Sequence, residues 1–158
     1  MNIGFRIFTK FDRPSLEIVK NFEKFTTANI ADNMNRCFCL DSSIKKINNK
    51  PLKMVGTAFT IKTKVVDNLM VHKSLDLAKP GDVVVIDAEG DTQHAILGEI
   101  MVREAMACKL AGFLIDGAIR DSAEIRELDF PVFARGATPR GPFKEGPGEI
   151  NVPYPVGV

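Results

Sequence analysis

The sequence predicts an α/β domain, and three observations carry that reading. Two continuous apolar runs, Val83-Val84-Val85-Ile86 and Phe113-Leu114-Ile115, each end in an aspartate, Asp87 and Asp116. Runs of strand length without alternation mark strands covered on both faces. Helical patterns separate these two runs, and separate the second from a third short strand, Pro131-Val132-Phe133-Ala134. That strand–helix–strand–helix–strand order implies parallel pairing through right-handed crossovers. In such sheets ligands bind beyond the carboxyl ends of the strands.

The remaining elements follow in chain order. Asp12-Arg13-Pro14-Ser15 starts a helix, because a first-turn proline lacks only an N–H that would be unpaired there. Leu16, Val19, Phe22 and Phe25 recur at helical spacing and give one apolar face. A second short helix starts near Thr26-Thr27, with Ile30, Ala31 and Met34 inward, and polar Ser42 to Pro51 is a connection. From Val55 to Val65 apolar or threonine positions alternate with Gly56, Ala58, Thr60, Lys62 and Lys64, which marks a half-buried strand. Asp67-Asn68 caps a helix running to Ala78, and Pro80-Gly81-Asp82 is a turn. Ala88 to Thr92 is a loop, a long helix runs from about His94 to Leu110, and a shorter one from Asp121 to Leu128. Gly136 to Pro155 holds four glycines and five prolines and is loop-rich. Val156-Gly157-Val158 reads as the start of a strand, so the natural domain is expected to continue.

The 158 residues suit one domain with one core. A formal net charge of +1, from 21 basic and 20 acidic residues, lacks the clustered basic excess of a nucleic-acid-binding surface. No apolar run approaches the ~18 residues of a membrane span, and Arg6 breaks the short apolar patch in Met1–Lys10, so no signal peptide is expected. Cys37, Cys39 and Cys108 form neither a disulfide framework nor a zinc spacing, and read as reduced, half-buried thiols of a cytoplasmic protein.

Candidate chemistry gathers at three places: Gly90 to Met101, Asp116 to Asp121, and Phe133 to Arg140. Arg120-Asp121 is the sharpest. At a strand-to-helix junction, Asp121 can offer a hard oxygen to a divalent cation, and Arg120 a two-bond fork to a carboxylate. Asp121 followed by Glu124 also fits a helix cap, so catalysis and capping both stand. Gly98 is unusual within a helical pattern, where glycine costs about 1 kcal/mol relative to alanine. Either it permits close packing or a helix begins there. In the second case the N–H groups of Glu99, Ile100 and Met101 can meet an anion. His72 and His94 lack metal-ligand spacing and read as capping or core residues. Arg135 and Arg140 read as surface charge pairs, Asp87, Asp91 and Glu99 as loop acids, and Cys108 as core.

Gly90-Asp91-Thr92 through Leu97-Gly98-Glu99, the run Gly112 to Asp121, and Phe130-Pro131-Val132-Phe133-Ala134-Arg135-Gly136 closely resemble the RraA-like family. The likeness also takes in Thr26 to Asp32, Gly56 to Thr60 and Asp67-Asn68. That family includes 4-hydroxy-4-methyl-2-oxoglutarate aldolases and the regulator of ribonuclease activity A. The resemblance implies a three-layer β/β/α fold of the swivelling type, assembled as homotrimers or hexamers with the site between subunits. It implies that Asp121 binds Mg²⁺ or Mn²⁺, that Arg120 binds a 2-keto acid, and that the backbone after Gly98 (Glu99, Ile100, Met101) helps hold the carboxylate. The implied activity is a metal-dependent lyase that cleaves 4-hydroxy-2-keto diacids or decarboxylates oxaloacetate, with pyruvate as product. The alternative is a regulator that binds ribonuclease E without catalysis. Family members usually continue for some dozens of residues past this end, where a neighbouring subunit's acidic residue helps complete the site, so a single domain lacking the C-terminal strands and helix is expected.

Overall fold

The two apolar runs occupy the middle of a mixed sheet. The computed structural model describes residues 4–157. Its strands are β1 (Lys45–Lys46), β2 (Thr57–Thr63), β3 (Asp82–Asp87), β4 (Ala95–Leu97), β5 (Gly112–Ile119), β6 (Val132–Ala137) and β7 (Gly148–Ile150). The helices are α1 (Leu16–Asn21), α2 (Thr27–Asn33), α3 (Leu69–Leu77), α4 (Glu99–Ala107) and α5 (Ser122–Glu127). The strand order is β1-β6-β5-β3-β2-β7, with β4 on β5. β3, β5 and β6 are mutually parallel, as the crossover order predicts, and β2 also pairs parallel with β3, while β1 and β7 join the flanks antiparallel.

Burial follows the two sequence patterns. All eight residues of β5 are buried, whereas β2 buries Phe59, Ile61 and Thr63 and leaves the positions between them partly open. Phe59, Ile86, Phe113, Ile115 and Ile125 anchor the core, and Phe113 meets Phe130 at a ring-centroid distance of 5.7 Å. Ser15 and Thr26 cap the first two helices: Ser15 accepts from the Ile18 N–H and Thr26 from the Asn29 N–H, each at 3.3 Å, while Pro14 precedes the cap and does not stand in the first turn. α3 packs on β2 and β7 and touches α4.

Five expectations are corrected. The long helix from His94 to Leu110 is instead β4, a break at Gly98, and α4. β3 accompanies β5 only as far as Asp116, and β4 takes over beside Ala118 and Ile119, burying Ile96 and Leu97. A three-residue apolar run cannot announce that pairing from within itself. β1 and β7 arise inside stretches read as connection and loop, because each finds a strand edge to pair with. The inward faces assigned to the first two helices stay largely open: Leu16, Phe22, Phe25 and Met34 are all exposed. Cys37 and Cys39 are likewise exposed rather than half-buried, while Cys108 is partly buried against the core. Finally, Val156 and Gly157 are not a strand. Gly157 folds back, its N–H donating to Asp116 at 2.8 Å and its carbonyl accepting from the Asp41 N–H. Val158 lies outside the described residues.

Candidate active site

The site forms where β5 ends. The Arg120 N–H donates to the Leu97 carbonyl at 3.0 Å, which sets the start of α4 beside the end of β5. Asp121 then adopts the left-handed conformation, φ 55 and ψ 38, which aspartate tolerates better than most residues. That turn carries the Asp121 side chain away from the first turn of α5. The Asp121 carboxylate makes no cap bond to its own helix α5; Oδ2 accepts from the Glu99 N–H, 3.0 Å away, at the start of α4. Arg120 Nε stands 3.6 Å from the same oxygen, a loose pair with both side chains well exposed.

Gly98 is explained by crowding. Its φ of −140 is ordinary extended backbone, so conformational freedom is not the reason for glycine. A Cβ there would fall 2.3 Å from Asp121 Oδ2 and 2.9 Å from Arg120 Cγ and Nε. Both parts of the earlier reading hold: a helix does begin after Gly98, and the glycine permits close approach. The Glu99 N–H is taken by Asp121, while Ile100 and Met101 keep first-turn N–H groups that lack intrahelical acceptors. The Glu99 carboxylate pairs with Arg103 at 2.7 Å.

Beside this junction lies a cleft of about 390 Å³, lined among others by Asn68, His72, Gly98, Ile100, Arg120 and Lys144. Met101 also lines it, so Gly98, Ile100, Met101 and Arg120 stand at one cleft; Glu99 does not line it, and Asp121 adjoins through Glu99 and Arg120. The sequence does not place Asn68, His72 and Lys144 here: Asn68 carries a helix-cap signal, His72 a core or cap signal, and nothing local announces that the loop carrying Lys144 folds against α3. Burial, and then the charge of Lys144, hold the His72 imidazole below its ordinary range, with Glu104 pulling the other way. The Asn68 amide donates to the Ile96 carbonyl at 2.9 Å, and its buried Oδ1 has no partner among the described residues.

Asp67 holds two of the segments that line the cleft together. This buried carboxylate accepts from the Leu69 N–H at 2.9 Å, the Glu145 N–H at 2.6 Å and the Gly146 N–H at 2.9 Å. It therefore caps α3, as predicted, and also ties the following loop to the helix start.

The other candidates lie elsewhere. Arg135 pairs with Asp116 and Asp41 and borders a separate cleft of about 240 Å³ with Asp87 and Glu89. Asp91 binds His94 at 3.0 Å and the Gln93 N–H at 2.8 Å, which fixes the loop. Among the described residues no group of three or more His, Cys, Asp or Glu is arranged to hold a metal ion. Asp121 is the one oriented carboxylate at this junction, and its well-exposed side chain is the donor that could offer an oxygen to a hard cation keeping water as its other ligands.

The structure thus defines a mixed α/β protein with a cleft of mixed polar and apolar lining at the end of its central strand. A family model described as RraA-like, Aldolase/RraA, matches residues 27–158, and the chain belongs to the RraA-like family. A Halalkalibacterium halodurans protein provisionally named a 4-hydroxy-4-methyl-2-oxoglutarate aldolase is 40% identical over 142 residues, covering 90% of this chain and 67% of that protein. The 4-hydroxy-4-methyl-2-oxoglutarate aldolase of Thermus thermophilus is 39% identical over 90 residues, 57% of this chain and 55% of that one. Among solved structures, the RNA-processing inhibitor RraA from Thermus thermophilus superposes with a TM-score of 0.74 at 31% identity, covering 82% of this chain and 78% of that one. The matched part of the chain spans about half to two thirds of the length of the two aldolase-named relatives. Among the described residues no helix is long and apolar enough to cross a membrane.

Proposed function

We propose that this protein is a divalent-metal-dependent lyase that cleaves 4-hydroxy-2-keto diacids, or decarboxylates oxaloacetate, to give pyruvate. The observation that carries this reading is the Asp121 carboxylate, held away from its own helix by the Glu99 N–H and set beside Arg120 at the cleft. Arg120 receives the keto acid's carboxylate in a two-bond fork, and the free N–H groups of Ile100 and Met101 add to the same anion. Asp121 offers its carboxylate to Mg²⁺ or Mn²⁺, and the Glu99 N–H keeps it oriented. The cation, when bound, supplies Lewis acidity towards the negative charge of the forming pyruvate enolate. Gly98 keeps Asp121 and Arg120 in reach of one substrate.

The same reading takes the active form to be a homotrimer or hexamer in the cytoplasm. Exposed Leu16, Ile18, Phe22 and Phe25, and separately Phe143 and the cleft residue Ile100, support apolar contacts between subunits. The likeness to an RNA-processing inhibitor supports a second reading, a ribonuclease E regulator. Pyruvate release from 4-hydroxy-4-methyl-2-oxoglutarate and from oxaloacetate, with Mg²⁺ and with EDTA, separates the two. Turnover that EDTA abolishes is expected. No turnover with any divalent cation, together with specific capture of ribonuclease E, would replace the lyase reading with the regulator.

A further inference from the structure

We infer that His72 and Lys144 form a second anion subsite at this cleft, which takes the distal carboxylate of a 2-keto dicarboxylate while Arg120 holds the proximal one. The inference rests on the lyase reading for the identity of the ligand and on the cleft itself for the site.

Lys144 is an exposed cation, but its backbone is not loosely held. On one side the Phe143 N–H donates to the Val66 carbonyl at 2.7 Å and the Phe143 carbonyl accepts from the Asn68 N–H at 3.0 Å. On the other side the Glu145 and Gly146 N–H groups both donate to Asp67. The lysine is thus clamped fore and aft to the start of α3, at a position that lines the cleft. Among the described residues no carboxylate lies within ion-pair distance of it. A positioned, unpaired cation on a cleft wall is an anion site with its counter-charge missing. His72 lines the same cleft from α3, and its half-buried imidazole offers a hydrogen bond rather than a second charge.

Asn68 specifies the ligand further. Its amide nitrogen is committed to the Ile96 carbonyl, so the unpartnered Oδ1 is the end left to the ligand. A buried acceptor without a donor is costly, and a hydroxyl would satisfy it. A carboxylate could not. The cleft residues therefore suit a hydroxylated dicarboxylate: Arg120 and the α4 N–H groups for the keto-acid end, Asn68 for the hydroxyl, and Lys144 with His72 for the distal carboxylate. A 2-keto monoacid would leave Lys144 unmatched.

The test is calorimetric and does not need turnover. Titrate the full chain, with Mg²⁺ present, with 2-oxoglutarate and with 2-oxopentanoate, which carries a methyl group in place of the distal carboxylate. The wild-type protein should prefer the diacid by roughly tenfold or more, the size of a charge-assisted hydrogen bond. Lys144→Met should erase that preference and leave 2-oxopentanoate binding unchanged. Lys144→Arg should restore most of it, and His72→Gln should weaken only the diacid. Equal binding of both acids by the wild type, or a Lys144→Met loss shared equally by both, would overturn the subsite. Diacid-selective binding without pyruvate release from the hydroxylated diacid would instead overturn the lyase reading and leave the subsite standing.

Discussion

Two arginine–aspartate pairs sit at β5 and its end, and they are opposites. Asp116 and Arg135 form a close pair with both side chains mostly buried; Arg135 also reaches Asp41 and Ser43, and Asp116 also takes the Gly157 N–H. Every strong group there has its partner. The Asp116 hydrogen bond is the main cause that pushes the Arg135 guanidinium up from its ordinary range. Arg120 and Asp121 are well exposed, 3.6 Å apart at closest, and only one of their polar bonds is tight, the one from the Glu99 N–H. The saturated pair holds β5, β6 and the segments at Asp41 and Gly157 together. The unsaturated pair has donors and acceptors left for a ligand. Adjacent charges in a sequence do not tell these cases apart; the count of satisfied partners does.

Substitutions test this contrast, and the largest effect should fall on the saturated pair. Asp116→Ala leaves Arg135 half-buried with a weaker partner and the Gly157 N–H without an acceptor. It should cost about 3 kcal/mol in urea unfolding. A loss below ~1 kcal/mol would show that the pair is not structural.

Asp121→Asn should do the reverse. An amide oxygen can still accept from the Glu99 N–H, so circular dichroism and unfolding should stay near wild type. Oxaloacetate decarboxylation should fall at least ~100-fold and Mg²⁺ or Mn²⁺ should bind more weakly, as expected for a lost catalytic contact. Arg120→Lys should also fail, because the charge remains but the planar fork does not. Near-normal turnover in Asp121→Asn would reduce Asp121 to a cap for α4.

Gly98→Ala comes next. The added methyl must push Asp121 Oδ2 or the Arg120 side chain aside, since it would sit 2.3 Å from the first and 2.9 Å from the second. Activity should drop by about tenfold through misplacement, with little change in thermal stability. An unaltered kcat and KM would mean that the crowding relaxes harmlessly.

The smallest effect is one of pH. Glu149 is a third well-partnered carboxylate, bonded to Arg6 and Tyr154, and the Arg6 hydrogen bond leads the causes that lower its pKa to about 2. A depressed carboxylate stabilises the fold fully above its ordinary pKa of 4.5 and loses that contribution as pH falls towards about 2. Urea midpoints should therefore fall between pH 5 and pH 3, and Glu149→Gln should flatten part of that fall. A parallel decline in both proteins would remove Glu149 from the cause.

Parts of this molecule were legible from residues alone. The unbroken runs at Val83 and Phe113, each placed between helical patterns, pointed to strands covered on both faces, and they are β3 and β5, at the centre of the sheet. Ser15 and Thr26 carry cap chemistry within three residues of their targets, so the helix starts were readable too. The adjacency of Arg120 and Asp121 is likewise a covalent fact. In each case the information is local: a run of side chains, a cap, or a pair of neighbours.

Tertiary structure decided the rest, because the deciding partners are far apart in the chain. Ala95–Leu97 is a strand only because the end of β5 has left β3 and needs a neighbour. The Asp121 carboxylate serves α4 rather than α5 only because Arg120 binds Leu97 and brings Glu99 within reach. Lys144 lies at the cleft only because Asp67, 77 residues earlier in the chain, accepts from the two N–H groups that follow it. No local pattern encodes those closures, since each joins backbone and side-chain groups that are neighbours in space and not in sequence.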